Sequence, residues 1–309
     1  MFSNESHGGT RSRSLVVTAV VVAVALAAGW FVYDTQRGSD AGPVAGRGPA
    51  GRSSGAPLAT RDSAPVAHGD ASAAPQGTSS SRPGADLAGR TVVIDPGHNL
   101  GNAEHTAEID RSVDIGTNRK ACDTTGTQTN AGYPEAAYTL DVAHRVRTLL
   151  LARGAKVVLT YDGDRAWGPC VDERARIGNA AHADAALSIH ADGAPADKFG
   201  FHVIAPEPVH KGAADTRAVA GPSLLLATTL RSHFQADTGE PPANYLGGKG
   251  LTIRDDLGGL NLTRVPKVFI ECGNMRNAHD AAALTNAAWR QQAARGIADG
   301  ITAFLEGKR

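Results

Sequence analysis

Three short apolar runs, each closing on a polar side chain, constrain this chain more than any other feature. They are Thr-Val-Val-Ile-Asp at 91–95, Ala-Ala-Leu-Ser-Ile-His at 185–190 and Lys-Val-Phe-Ile-Glu at 267–271. Runs of this length, rich in β-branched residues and bounded by turn formers, read as buried strands rather than helices. Two further strand-like runs fall at 155–160 and 200–205. Between the first two runs, Ala136, Leu140, Ala143, Val146 and Leu150 recur at helical spacing from Pro134 to Ala152, with Gly154 as the stop. Helices are also expected at 171–183, 221–236 and 278–305. Strands alternating with helices predict an α/β fold: a single three-layer domain with a mainly parallel, twisted sheet flanked by helices on both faces.

The sequence ahead of that region divides sharply. Residues 14–33 carry no charge and would span about 30 Å as a helix, the thickness of a bilayer core. Arg11 and Arg13 precede the run, so the positive-inside rule places 1–13 in the cytoplasm and the rest outside. A transmembrane signal-anchor is the favoured reading; a cleaved signal peptide is the alternative, and either exports the remainder to the cell envelope. Residues 34–86 are rich in Gly, Ala, Pro, Ser and Arg and hold few large apolar side chains, so a disordered linker is expected there. The globular domain then occupies 87–309. A formal charge of zero without a basic stripe argues against a nucleic-acid partner. The expected state is a monomer.

Chemistry concentrates at the ends of the strands. His98 follows Pro96-Gly97, where a turn can present its imidazole to a cleft, and His190 ends the second strand. Glu135 opens the helix after Pro134. Two histidines and a carboxylate make the ligand set of a catalytic zinc with one position left for water, and Glu271 at the end of the third strand is a candidate general base. Each residue also has a plainer reading. Glu135 suits a helix N-terminus without any metal, His190 could pair with Asp192, and Glu271 could be half of a buried ion pair. Coincidence at strand carboxyl ends favours the site, because open α/β sheets place their sites there. Alternation along the third strand sends Cys272 to the core if Glu271 faces the cleft. In an exported chain, Cys122 and Cys170, both in loops, are the expected disulfide. Two long loops, 99–133 and 239–266, should border the cleft, and movement of the first would open or cover it. Arg254 and Asn261 in the second are candidate substrate contacts.

At Asp-Pro-Gly-His (95–98), Glu135, Ser-Ile-His-Ala-Asp (188–192) and Glu-Cys-Gly-Asn-Met-Arg-Asn (271–277), the chain resembles the zinc-dependent N-acetylmuramoyl-L-alanine amidases of the amidase type 3 family. The resemblance spans 90–306. It implies one Zn2+ held by His98, Glu135 and His190, Glu271 as the catalytic acid, and peptidoglycan or a muropeptide as substrate. The cysteine pair and the Thr-Thr-Gly-Thr loop look like the exported, high-GC Gram-positive branch. Ser188 and Asp192 are then candidates to orient the ligand imidazoles, and Asn277 is a candidate substrate contact. Asn274 and Arg276 stand where many relatives have an aromatic residue and then Ser or Thr, which leaves the subsite contacts open. Two rival readings use the same fold: a non-catalytic peptidoglycan-binding regulator, and a zinc carboxypeptidase with Arg254 or Arg276 receiving the terminal carboxylate.

Overall fold

A computed structural model describes residues 87–246 and 248–307. The proposed cytoplasmic segment 1–13, membrane segment 14–33 and linker 34–86 lie outside the described residues. Among the described residues, no helix is long and apolar enough to cross a membrane.

Six strands form the central sheet: β1 (Thr91–Pro96), β4 (Lys156–Leu159), β5 (Ala185–Asp192), β6 (His202–Pro206), β9 (Leu251–Arg254) and β10 (Lys267–Asn274), in the order β4-β1-β5-β10-β6-β9. β4, β1, β5 and β10 run parallel, while β6 is antiparallel to β10 and parallel to β9. The predicted α/β architecture and mainly parallel sheet are therefore present. Two small hairpins decorate it: β2 (Ser112–Asp114) with β3 (Arg119–Ala121), and β7 (His210–Lys211) with β8 (Ala214–Asp215). The first hairpin lies inside the 99–133 excursion, together with a helical turn at Thr106–Ile109, so that segment is built rather than structureless.

Alternation along the strands sorts their side chains by face. Val92, Ile94, Leu187, Ile189, Val268, Ile270 and Cys272 enter the main core. There they pack under α1 (Glu135–Leu151), α3 (Ala220–Thr238) and the C-terminal helix. Val93 and Ala186 point to the other face, where Val265 and Ala183 cover them. That second face is also where α2 (Val171–Ala180) and the helical turn α4 (Gly258–Asn261) sit, since Arg174 of α2 reaches Asp95, and Gly259 approaches Phe269. Asp95, Ser188, His190, Lys267, Phe269 and Glu271 occupy the alternate positions that face this thinner layer.

The expected helix 278–305 is two helices, α5 (Ala278–Thr285) and α6 (Ala287–Leu305). Asn286 takes an extended conformation (φ −83°, ψ 119°) and its side chain accepts from the backbone N–H groups of Ala288 and Trp289. Continuous apolar spacing hid this internal N-cap. α6 then packs closely on α3 because it carries glycines one turn apart. A Cβ on Gly296 or Gly300 would lie 2.8 Å from the Cα of Phe234 or Leu230. Gly300→Ala should therefore push α3 and α6 apart and lower stability by about 1–3 kcal/mol despite alanine's better helix propensity. Urea unfolding of this variant checks it; unchanged or increased stability would show that the helices can separate freely.

Candidate active site

β1 ends at Pro96-Gly97, and His98 follows in a left-handed conformation (φ 62°). Such a backbone costs a residue with a β-carbon roughly 1–3 kcal/mol and needs outside support. Three bonds supply it. Thr139 Oγ1 donates to Gly97 O at 2.7 Å, Arg174 Nη2 donates to His98 O at 3.1 Å, and Gly97 N donates to Ile189 O at 2.9 Å. Gly97 itself is forced by packing, because a Cβ there would fall 2.3 Å from the His190 ring.

Glu135 is the first residue of α1, one turn before Thr139, so one helix face fixes both the turn and the carboxylate. The carboxylate is buried and fully engaged. Its Oε2 lies 3.2 Å from His98 Nε2 and accepts Thr127 N–H at 2.9 Å; its Oε1 lies 3.0 Å from His190 Nδ1 and accepts Ala191 N–H at 3.2 Å. Gly126 leaves the room for this, since its Cβ would meet His98 Cδ2 at 2.7 Å. The two imidazoles meet edge-on, with centroids 4.9 Å apart. Burial opposes charge on Glu135, but His98 and His190 outweigh it and hold the acid well below the ordinary carboxylate range. Burial also opposes charge on His98, and there the carboxylates of Glu135 and Asp123 win, pushing the imidazole up to about 10.

The other ring nitrogens are spoken for. His98 Nδ1 faces the carbonyl of Thr124 at 3.0 Å. His190 Nε2 lies 3.3 Å from Ser188 Oγ, whose hydroxyl donates to Asp95 Oδ2 at 2.7 Å. His98 Nε2 and His190 Nδ1 are thereby left facing Glu135, and at these distances from a carboxylate each contact needs a proton or a cation between nitrogen and oxygen. One nitrogen or oxygen from each of the three residues falls within 4.8 Å of the others.

Glu271 sits on β10 directly beside His190 of β5 and His202 of β6 in the strand register. Its Oε2 is shielded and has no hydrogen-bond partner. Burial first, then the negative charges of Glu135 and Asp192, push its pKa well above the usual range. His202 is buried too, and burial pulls its imidazole down to about 4, so it stands neutral near neutral pH. Two cavities flank the cluster. One, of about 480 Å³, is lined by Leu100, Gly126, Gln128, Pro134 and Arg276; the other, of about 270 Å³, is lined by His98, Asp123, Arg174, His190 and Phe269.

Other candidates are placed differently. Asn261 is fully buried, and its amide donates to Thr117 Oγ1 and to the Asp255 carbonyl, so it holds a loop instead of facing substrate. Asn277 caps α5 and donates to Ala196 O, again an internal role. Asp192 accepts from Tyr245 Oη at 2.8 Å and from Gly193 N–H, with no bond to either imidazole. Arg254 lies beside the site but is paired with Asp256. Cys122 and Cys170 are bonded, and Cys272 is a buried thiol.

Sequence reasoning missed the ionic layer beneath the site. Arg174, 4% exposed, spends its guanidinium on Asp95, Asp123 and the carbonyls of Pro96, His98 and Pro169. Lys267, also buried, donates to Asp95 Oδ2 at 3.0 Å. The only signal was a lysine opening an apolar strand, which reads as solvated.

A half-buried glutamate with a shielded, unpartnered Oε2 beside a His–Glu–His cluster, with open space on both sides, is the kind of arrangement that adds water to a carbonyl, and the protein is a hydrolytic α/β enzyme. A family described as N-acetylmuramoyl-L-alanine amidase matches residues 92–303, and the chain belongs to it. It is 44% identical over 223 residues to N-acetylmuramoyl-L-alanine amidase Rv3717 of Mycobacterium tuberculosis, across 72% of this chain and 88% of that protein. Among solved structures, the amidase Ami1 of Mycobacterium smegmatis is similar at 42% identity and a TM-score of 0.66, covering 72% of this chain and 100% of that one. The apo form of Ami1 from Mycobacterium abscessus gives 42% and 0.65, over 71% and 100%.

Arg174→Ala would strand Asp95 and Asp123 in the interior, and the expected loss is about 3–5 kcal/mol in urea unfolding; a loss below about 1 kcal/mol would show that Lys267 and the hydroxyls suffice. Acid behaviour follows from the same layer. Burial would raise Asp123, but Arg174 and His98 outweigh it and hold it at about 2, below its unfolded value of about 3.9. Its stabilisation is complete above about pH 4 and is lost as pH falls toward about 2. Asp123→Asn should make stability fall less steeply across that window, with the other depressed acids, Asp95 among them, supplying the remainder; an unchanged acid limb would exclude the Asp123 carboxylate as a contributor.

Proposed function

We propose that this chain hydrolyses the amide joining the lactyl group of N-acetylmuramic acid to L-alanine in peptidoglycan, with one zinc ion held by His98, Glu135 and His190. Family membership supports the substrate. The observation that supports the metal is the charge demand of the cluster: two imidazoles converge on an ionised, buried Glu135, and without a cation His98 must carry a proton there. The outer nitrogens are fixed by Thr124 O and Ser188 Oγ, which suits inward-facing ligand lone pairs. When bound, zinc supplies Lewis-acid polarisation of the scissile carbonyl and a water acidic enough to attack at neutral pH.

The remaining work falls to protein groups. Glu271 accepts the proton of the attacking water and returns it to the leaving alanine nitrogen; its raised pKa suits both halves of that exchange. The cavity beside Arg276 and the one floored by Phe269 give a polymeric substrate room on either side of the reacting carbonyl. An intact cluster and an unpartnered Glu271 weigh against a merely binding regulator. Residues 14–33 support an extracytoplasmic, membrane-anchored placement. Retention of the full chain in membranes after alkaline carbonate extraction tests that, and release would favour cleavage and secretion.

Purified peptidoglycan digested with the full chain should yield new lactyl carboxyls and free L-alanine amines. New carboxyl termini on the stem peptides instead would make the enzyme a carboxypeptidase. His190→Ala should bind one equivalent of zinc fewer than the wild type. Glu271→Gln should keep zinc and lose roughly 10²–10⁴-fold in hydrolysis, the usual worth of a general acid–base; wild-type turnover in that variant would remove Glu271 from the mechanism.

A further inference from the structure

A second group of metal-competent side chains, sharing no residue with the first, lies at the far end of β10. Glu240 follows α3, while His279 and Asp280 stand in the first turn of α5; one nitrogen or oxygen from each lies within 4.8 Å of the others. Asp280 is 1% exposed, and its Oδ2 accepts the N–H groups of Gly200 at 2.8 Å and Asn274 at 2.9 Å. Those donors commit that oxygen as an acceptor and tie the end of the Glu271 strand to the turn before β6. Glu240 is 3% exposed, and its Oε1 is shielded with no hydrogen-bond partner. Among the described residues, no lysine or arginine forms an ion pair with either acid, and the one cationic candidate is His279, with Nδ1 3.4 Å from Asp280 Oδ1.

Two buried carboxyls in one place require a positive charge between them. A proton can supply it, and burial together with the Asp280 charge does push Glu240 up to about 7. A cation supplies the charge permanently, and His279 adds what a shared proton would not need: a nitrogen donor, largely solvent-exposed, at the mouth of the cluster.

We propose that Glu240, His279 and Asp280 bind a second divalent cation, zinc in preference to calcium or magnesium, through an oxygen of each acid and an imidazole nitrogen. A mixed nitrogen and carboxylate donor set selects a borderline metal over a hard one. The ion joins the loop after α3 to the start of α5, and through Asp280 it fastens the backbone at Asn274, three residues beyond Glu271. It is a structural clip, separate from the proposed catalytic zinc.

The test is metal stoichiometry on the full chain, stripped with chelator and titrated with Zn2+ alone, read by elemental analysis and by melting temperature. The wild type should take up two equivalents. His279→Ala, at an exposed position that leaves packing untouched, and Glu240→Gln, isosteric with the protonated acid, should each take up one and lose part of the zinc-induced rise in melting temperature. The double variant His98→Ala/His190→Ala should keep one equivalent, lost when His279→Ala is added. A wild type with one equivalent that both His279→Ala and Glu240→Gln retain would overturn the proposal and leave a shared proton as the occupant. One equivalent that survives His98→Ala/His190→Ala but not His279→Ala would uphold this site and count instead against the catalytic zinc.

Discussion

Asp95 is the residue on which the rest of this structure hangs. Its carboxylate is fully buried and receives Thr160 Oγ1 from the end of β4, Arg174 from α2, Ser188 Oγ from β5 and Lys267 Nζ from β10. Burial alone would drive the acid neutral; Lys267 and Arg174 outweigh that and hold it far below the carboxylate range. A buried charge of this kind is tolerable only when its acceptor sites are filled, and here four donors fill them. Because the donors come from four elements, the same bonds lock the strand ends in register. Asp95 stands beside Ser188, and His190 beside Glu271, so the side chains of the candidate site inherit their spacing from the knot beneath them.

The second tier depends on the first. Arg174 leaves α2 one turn after Cys170, and Cys122, its disulfide partner, precedes Asp123, which takes the other side of the same guanidinium. The excursion 99–133 is thereby pinned about two-thirds of the way along, and the next residues, Thr124 to Thr127, deliver a carbonyl to His98 and an N–H to Glu135. What looks from outside like a long surface loop is, over this stretch, part of the wall of the site. A bridge closing a segment of 48 residues removes denatured-state entropy worth about 4 kcal/mol in the chain-entropy model. Its larger effect is local, since it fixes the position of Asp123 relative to Arg174.

The strands were legible in the sequence because period-two alternation is a local signal. His98, His190 and Glu271 were legible because each ends such a run. Glu135 could be read from Pro134 and the helical spacing that follows. Arg174 and Lys267 were not, because a basic residue looks solvated until its carboxylate partner, 79 or 172 positions away, is known to face it. Asn261 misled for the converse reason: in a glycine-rich loop an amide looks exposed, yet here it is fully buried and spends its N–H groups on Thr117 Oγ1 and the Asp255 carbonyl. The break at Asn286 was lost because an asparagine cap inside an unbroken apolar pattern scores as a helix interior.

Two glutamates in one site end up with opposite properties, and the fold explains why. Glu135 points between two imidazoles and receives two backbone N–H groups, so its charge is solvated by the protein and stays. Glu271, on the neighbouring strand, receives nothing at Oε2 and faces Glu135 and Asp192, so its charge is resisted. The first environment suits a permanent ligand and the second a group that picks up and releases a proton. That separation needs a helix N-terminus and a strand end to approach the same point from different layers. Pro96-Gly97 permits it, because only a residue without a side chain lets β1 turn away over the His190 ring and bring His98 back to face α1.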